Sequence, residues 1–429
     1  MPESKKLQDV REVSADLKMV YAHTEKDPLE YRVGDQITFI CTLCADKVPV
    51  SCPKFSYIAD TEDGLTYTGS ADGASGSLSV TVPATAKGFV RLKVYAEDEN
   101  GERIPSVTQF DDYFNSPLFS VVVNADEVRV KKQEPEDFDK FWAEQVAKVI
   151  KVEPDVLSME RVDEPIGVQG MDDTPSSSET HEFYRVKIKT PEECGYAIGY
   201  MTVPKNAQSV GITVNFNGYG VRDMIPYISS KHVVFNICAH PHELGREASY
   251  YENMLANYGF TGNESRETSY FRTMIMRDIQ AVRFIKAYVG TEGVMINGEK
   301  KALGIWNGEL RTYGGSQGGF QGIAISALDK DVTDAFWVSP WLCDVAGARS
   351  VFRPQYTEDF RYFDSVYHAS RVRENVNVCI ISGLGDYICP PSGVVALYNA
   401  LKTKATLEFY QGMTHTYNSE IGPLTKYHK

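Results

Sequence analysis

Ser316 stands at the centre of Gly314-Gly315-Ser316-Gln317-Gly318, a G-x-S-x-G pattern within TYGGSQGGFQGIAISALD (residues 312–329). A serine hydroxyl is a weak nucleophile at neutral pH. It attacks a carbonyl carbon beside a base that takes its proton, and that base needs a carboxylate to orient it. The pattern reads as a sharp strand-to-helix turn that holds the serine in strained backbone space, with Gly314 and Gly318 removing side chains that would collide there. A strand signal precedes it, and Gly319, Gly322 and Ala324 after it let the following helix approach the sheet closely.

The chain order that goes with such a turn is serine, then Asp or Glu, then histidine. Three histidines follow Ser316: His368, His415 and His428. His415, in YQGMTHTY just past the last strand-like segment, is placed to act as base. His428 is penultimate and His368 lies in a helix-like stretch, so both read as structural. For the carboxylate, VNVCIISGLGD supplies an apolar strand, a glycine turn and Asp386, beside the strand that leads to His415. Asp344 and Asp364 compete, the first also close to a strand end.

A tetrahedral oxyanion needs preorganised N–H donors, each worth about 3 kcal/mol. The residue after the nucleophile, Gln317, offers one. NFNGYG offers the second through Tyr219, with Gly218 and Gly220 letting the backbone turn inward; the alternative is an ordinary tight turn. His240 and His242 form H-x-H in AHPHELGR, with no third ligand and no H-E-x-x-H, so they read as lining the acyl pocket and no metal is expected. Trp341 joins them as a candidate for substrate contact. Tyr250, Tyr251, Trp337 and Trp341 fit a sugar platform or a core about equally.

These residues need a scaffold. From about Tyr21 to Asp126, segments such as DQITFICTL, SLSVTV and LFSVVVN separated by EDG, ADG and ENG read as short strands of an immunoglobulin-like sandwich. Residues 1–20 read as a polar lead-in. At EPEDFDKFWAEQVAKVI the period becomes helical, and from there strands alternate with helices. That alternation implies residues 127–429 form an α/β domain with a mostly parallel sheet flanked by helices on both faces and a site at the carboxyl ends of its strands. Length, 429 residues, fits two domains.

Acidic residues outnumber Lys plus Arg by 58 to 44, with no basic run, so nucleic acid is not an expected partner. No apolar run approaches the roughly 20 residues that cross a bilayer, and the first residues are too polar for a signal-peptide core. A water-soluble protein is expected, extracytoplasmic if a leader has been removed and cytoplasmic otherwise. The eight cysteines read as buried free thiols, ahead of a disulfide from Cys52 to Cys41 or Cys44 or a metal site.

With the serine, carboxylate, histidine and NGYG in place, residues 130 to 429 resemble the acetyl xylan esterase / cephalosporin C deacetylase family, carbohydrate esterase family seven. The likeness extends to EPEDFDKFW, YFDSVYHASRV and GLGDYICPPSGVVALYNAL. The resemblance implies an α/β-hydrolase that removes acetyl groups from sugar hydroxyls, typically on xylose-containing oligosaccharides, with no cofactor. It implies Ser316 as nucleophile, His415 as base, Asp386 as its partner, and Tyr219 with Gln317 as the oxyanion hole. Typical members carry Arg-Gly-Gln where this chain reads NICAHPHELGR, and Glu where Thr416 follows His415. They also lack the β-sandwich and form a ring-shaped hexamer, which leaves a homo-oligomer open here.

Two other readings compete. A peptidase of prolyl-oligopeptidase type also joins a β region to a hydrolase domain, but no blade-like repeat is visible. A carbohydrate-binding protein with a silent hydrolase domain would keep the scaffold without the chemistry. The sandwich itself reads as a spacer or as a sugar-binding module.

Overall fold

The computed structural model describes residues 18–104, 118–163, 167–347, 350–415 and 424–428. The lead-in up to residue 17 and Thr416 therefore lie outside the described residues.

Eight strands form two antiparallel sheets at the start of the chain. The first holds β1 (Lys18–Thr24), β2 (Gln36–Ala45), β3 (Val48–Pro49) and β6 (Ser77–Pro83); the second holds β4 (Lys54–Thr61), β5 (Thr66–Asp72), β7 (Gly88–Glu97) and β8 (Leu118–Val123). Alternation along β6, with Leu78, Val80 and Val82 buried between exposed Ser and Thr, turns one face of its sheet inward. Those residues join Phe39 and Cys41 of the first sheet and Phe55, Leu92 and Val121 of the second in one shared core.

A ten-stranded sheet follows, built from β9 (Val156–Arg161), β10 (His181–Lys189), β11 (Tyr196–Pro204), β12 (Val210–Phe216), β13 (His232–Cys238), β14 (Trp306–Gly315), β15 (Asp334–Val338), β16 (Asn377–Gly383), β17 (Ala405–Tyr410) and β18 (Leu424–His428). Its order is β18-β17-β16-β15-β14-β12-β13-β11-β10-β9. The six strands from β12 to β17 are mutually parallel, and antiparallel strands finish both edges. The expected opening pair, β10 with β11, is antiparallel as read, with Tyr184 opposite Met201.

Helices α1 (Phe138–Ile150), α2 (Tyr270–Val289), α3 (Gln317–Leu328), α4 (Ser365–Ala369) and α5 (Pro391–Ala400) form one layer. Here the structure departs from the expectation of helices on both faces. The crossovers from β13 through β17 all step the same way across the sheet, and right-handed connections of that kind leave their helices on one side. The connection that steps the other way, from Phe216 to His232, carries no helix among the described residues. Thr213, Asn215 and Asn236 on that side are instead buried under loops, and Tyr227 accepts hydrogen bonds there from Thr202 and Asn236. Farther along, the same face is only half covered and holds a cavity of about 640 Å³ beside Tyr227, Tyr313, Phe336 and Asn377. Ser316, Asp386 and His415 do not line it.

The helical side is a continuous apolar core. Phe138, Phe141 and Trp142 of α1 pack there on Tyr362 and Phe363, and Phe284 of α2 lies against Phe235 of β13. All eight cysteines are free thiols, which removes the disulfide reading for Cys52. Among the described residues no helix is long and apolar enough to cross a membrane.

Candidate active site

Ser316 lies between the end of β14 and the start of α3, with φ 55° and ψ −119°. That conformation is costly for a residue with a side chain, by about 1–3 kcal/mol, and the neighbours fix it in place. The Ser316 N–H donates to the Val338 carbonyl at 2.9 Å, and its carbonyl accepts from Trp341 at 3.0 Å. The glycines act more specifically than the sequence suggests. A Cβ at Gly314 would strike the Gly318 backbone, and one at Gly318 would strike the Phe216 carbonyl of β12. The turn is thus tight against itself and against the neighbouring strand.

His415 follows β17 and bridges two groups. Its Nε2 lies 3.0 Å from Ser316 Oγ, and its Nδ1 lies 2.9 Å from Asp386 Oδ2. A carboxylate oxygen only accepts, so Nδ1 carries the proton and Nε2 is free to accept from the serine hydroxyl. Asp386 follows β16, the strand beside β17, and is 1% exposed. Its Oδ1 accepts from the N–H groups of Ile388 at 2.9 Å and Cys389 at 2.7 Å, which leaves Oδ2 aimed at the imidazole. Burial works against an imidazolium at His415, but the charge and hydrogen bond of Asp386 together outweigh it and raise its pKa above the ordinary histidine value.

The competitors lie elsewhere. Asp364 caps α4 and accepts from the N–H groups of Asp344, Val345 and Val366; burial pushes it up to about 7. Asp344 accepts from the N–H of Lys131 at 2.9 Å. His368 is fully buried, edge-on to Phe138 and Trp142, and burial lowers it to about 3. His428 is a backbone partner of Thr406 in the edge strand β18. Asp386, Cys389 and His415 are close enough together to suggest metal ligands. However, both His415 nitrogens and both Asp386 oxygens already have partners, and burial pushes the Cys389 thiol well above its ordinary range.

Tyr219 follows β12 by three residues, and Gln317 is the first residue of α3, so the Gln317 N–H is one of the donors a helix leaves without an intrahelical acceptor. The Tyr219 ring stacks on Tyr258 at 4.6 Å and meets Phe260, Trp341 and Phe352 edge-on. Gly220 takes φ 121°, a region glycine alone enters easily, whereas Gly218 does not need it.

Two residues that the sequence did not single out for this purpose hold the loop. The Tyr258 hydroxyl accepts from the Gly220 N–H at 3.2 Å and donates to Gln317 Oε1 at 2.6 Å, so one oxygen ties both expected donor segments together. His240 works from the other side. Its Nε2 meets the Gly220 carbonyl at 3.2 Å and its Nδ1 meets the Tyr270 hydroxyl at 2.9 Å. Since a carbonyl only accepts, Nε2 is the protonated nitrogen and Nδ1 accepts from Tyr270. Burial, with Arg277 nearby, lowers His240 to about 3, so it stays neutral.

This placement differs from a substrate-lining role for the three candidates. His240, His242 and Trp341 are each at least 97% buried, and the Trp341 Nε1–H donates to the Phe352 carbonyl. Trp337 is likewise in the core, on Thr312. No local pattern marks Tyr258 in the sequence; its role depends on where the segment after Tyr251 folds back.

A hydroxyl, an imidazole and a carboxylate in series, beside two backbone segments able to donate N–H groups, can carry out acyl transfer from an ester. A model of the acetyl xylan esterase (AXE1) family matches residues 121–427. Among solved structures, an acetyl xylan esterase from Paenibacillus sp. R4 is similar with a TM-score of 0.51 at 19% identity, over 68% of this chain and 94% of that one. Acetyl xylan esterase 1 from Thermoanaerobacterium sp. JW/SL YS485 is similar with a TM-score of 0.51 at 17% identity, over 69% of this chain and 93% of that one. At such identities the structural likeness speaks to the fold.

Proposed function

The chain belongs to the acetyl xylan esterase family, and on that premise we propose that it is a serine esterase that removes acetyl groups from acetylated sugars such as xylo-oligosaccharides. The observation that carries the reading is the His415 imidazole, 3.0 Å from Ser316 Oγ and 2.9 Å from Asp386 Oδ2.

In this mechanism Ser316 Oγ attacks the acetyl carbonyl carbon as His415 Nε2 takes its proton. Asp386 holds the imidazole in the required tautomer and stabilises the imidazolium. The N–H groups of Gln317 and Tyr219 meet the oxyanion. Collapse of the tetrahedral intermediate breaks the bond to the sugar oxygen, which leaves with the proton from His415. Water then gives a proton to His415 and attacks the acetyl-serine, and the second collapse breaks the bond to Ser316 Oγ, which takes that proton back from His415 as acetate is released. Every proton in this cycle passes through one imidazole, so no cofactor is called for.

We read residues 21–126 as an immunoglobulin-like sandwich with a structural role and 127–429 as the hydrolase domain. The separate apolar core shared by the first two sheets supports that division. The decisive test of function is acetate release from acetylated xylo-oligosaccharide by wild type and by Ser316→Ala. Wild type should turn over and the variant should fall by about 10⁴-fold or more. Equal, slow release from both would remove the enzymatic reading.

A further inference from the structure

β8 belongs to the second N-terminal sheet, yet its first three residues lie against the loops that carry Asp386 and His415. Gln411, 1% exposed and four residues before His415, turns back to this strand. Its Nε2 donates to the Ser120 carbonyl at 2.9 Å and its Oε1 accepts the Ser120 N–H at 3.0 Å. One side-chain amide thus completes both hydrogen bonds of a backbone residue 291 positions away. Beside it, Phe119 lies against Gly412, where a Cβ would sit 3.3 Å from the ring.

The acid loop meets the same strand. Gly385, next to Asp386, is seated so that a Cβ would strike the Leu118 carbonyl. The acid and base loops are also tied to each other: the Leu384 N–H donates to Tyr410 at 3.0 Å and the Gly385 N–H to Met413 at 2.9 Å. Leu118, Phe119 and Ser120 therefore close one interlocked unit, from which Asp386 and His415 project.

We propose that the N-terminal β region is a positioning part of the active site: through Gln411 and Gly385, the start of β8 holds the Asp386 and His415 loops at the separation their hydrogen bond requires. The inference rests on the serine-esterase reading of those residues. The family match begins at residue 121, so Leu118, Phe119 and Ser120 lie before it. Nor is this a property of the whole interface. Asn399 of α5 also binds the N-terminal side, donating to the Ala125 carbonyl at 2.7 Å and, just past the boundary, to the Val128 carbonyl at 3.0 Å, at a distance from both loops in the chain.

That second contact supplies the control. Gln411→Leu deletes two hydrogen bonds to the N-terminal region, Asn399→Ala deletes one to that region and one to Val128, and both variants are made in the full chain. Kinetics with p-nitrophenyl acetate, melting temperatures, and the far-downfield proton resonance of the His415 Nδ1–H are measured for each. Gln411→Leu should lose about 30-fold in kcat with KM within about twofold, because displacements of about an ångström at a reacting centre cost up to about 100-fold. The acidic limb of its kcat/KM profile should move to lower pH as Asp386 loosens its hold, and the downfield proton should disappear. Asn399→Ala should melt lower yet keep its kcat within about twofold and retain the proton.

Wild-type kcat and an intact downfield proton in Gln411→Leu would overturn the proposal, as would losses in both variants that simply follow melting temperature. If Gln411→Leu does not fold, Gly385→Ala carries the same expectations, since its Cβ pushes the acid loop off Leu118. If the wild type hydrolyses no acetate ester, the esterase reading fails by itself, and the downfield proton alone decides the brace: its loss supports the brace and its persistence refutes it.

Discussion

Tyr258→Phe separates the stability of the oxyanion loop from its geometry. The change removes one oxygen and keeps the ring that stacks on Tyr219 at 4.6 Å. It leaves the Gly220 N–H without the phenol acceptor at 3.2 Å and Gln317 Oε1 without the donor at 2.6 Å. A buried group deprived of a partner costs about 1–3 kcal/mol; Gln317 is buried and Gly220 half-buried, so the fold should lose about 2–4 kcal/mol. The catalytic effect is smaller. Losing an oxyanion donor outright costs about 3–4 kcal/mol, but here both N–H groups remain and only their spacing relaxes. His240 still holds the Gly220 carbonyl and the aromatic cage still holds Tyr219. About a third of one donor, or about 1.2 kcal/mol, is then lost from the transition state, which is about eightfold in kcat. The assay is hydrolysis of p-nitrophenyl acetate well below the variant's own melting temperature, with kcat and KM resolved. A melting temperature that falls while kcat stays within twofold would refute the coupling and leave Tyr258 a purely structural residue. A loss expressed in KM alone would refute it too, since ground-state binding does not use the oxyanion hole.

Three further outcomes follow from the same geometry. Because the proposed mechanism needs a neutral His415 as base and its pKa is raised, kcat/KM should fall on the acid side with a midpoint above about 6.5; Asp386→Asn should shift that midpoint down and cut the plateau by about 10⁴-fold, as a pH–rate series will show. A raised folded pKa also means that His415 stabilises the fold fully below its unfolded value of about 6.5 and loses that contribution as pH rises through the folded value, so His415→Gln should lower the melting temperature at pH 5 and not at pH 9. Gly318→Ala drives a Cβ into the Phe216 carbonyl and should cost about 2–3 kcal/mol by denaturant titration, with esterase activity largely lost; an active variant of wild-type stability would show that the turn is looser than described.

The residues in contact around Ser316 differ in how far the sequence could reveal them. Ser316 and its glycines are legible because the constraint is local: five consecutive residues carry the turn, and the strand and helix periods flank it. Asp386 and His415 are legible because each follows an apolar strand and because chain order limits the choice. The register Ile380–Leu407 then makes those strands neighbours. The one-sided helix layer was not legible, since alternation predicts crossovers but says nothing of a connection such as 217–231 that crosses without a helix. Gln411 marks the limit of local reading. In FYQGMTHTY it is an ordinary polar residue entering a turn, and its buried partner is the backbone of Ser120, which any sequence presents equally well. Backbone partners leave no mark in residue type, so Tyr258 on Gly220, His240 on Gly220 and Gln411 on Ser120 all escape a reading by pattern. These contacts hold the loops beside the triad, so what determines its geometry is the part of the site that residue types encode least.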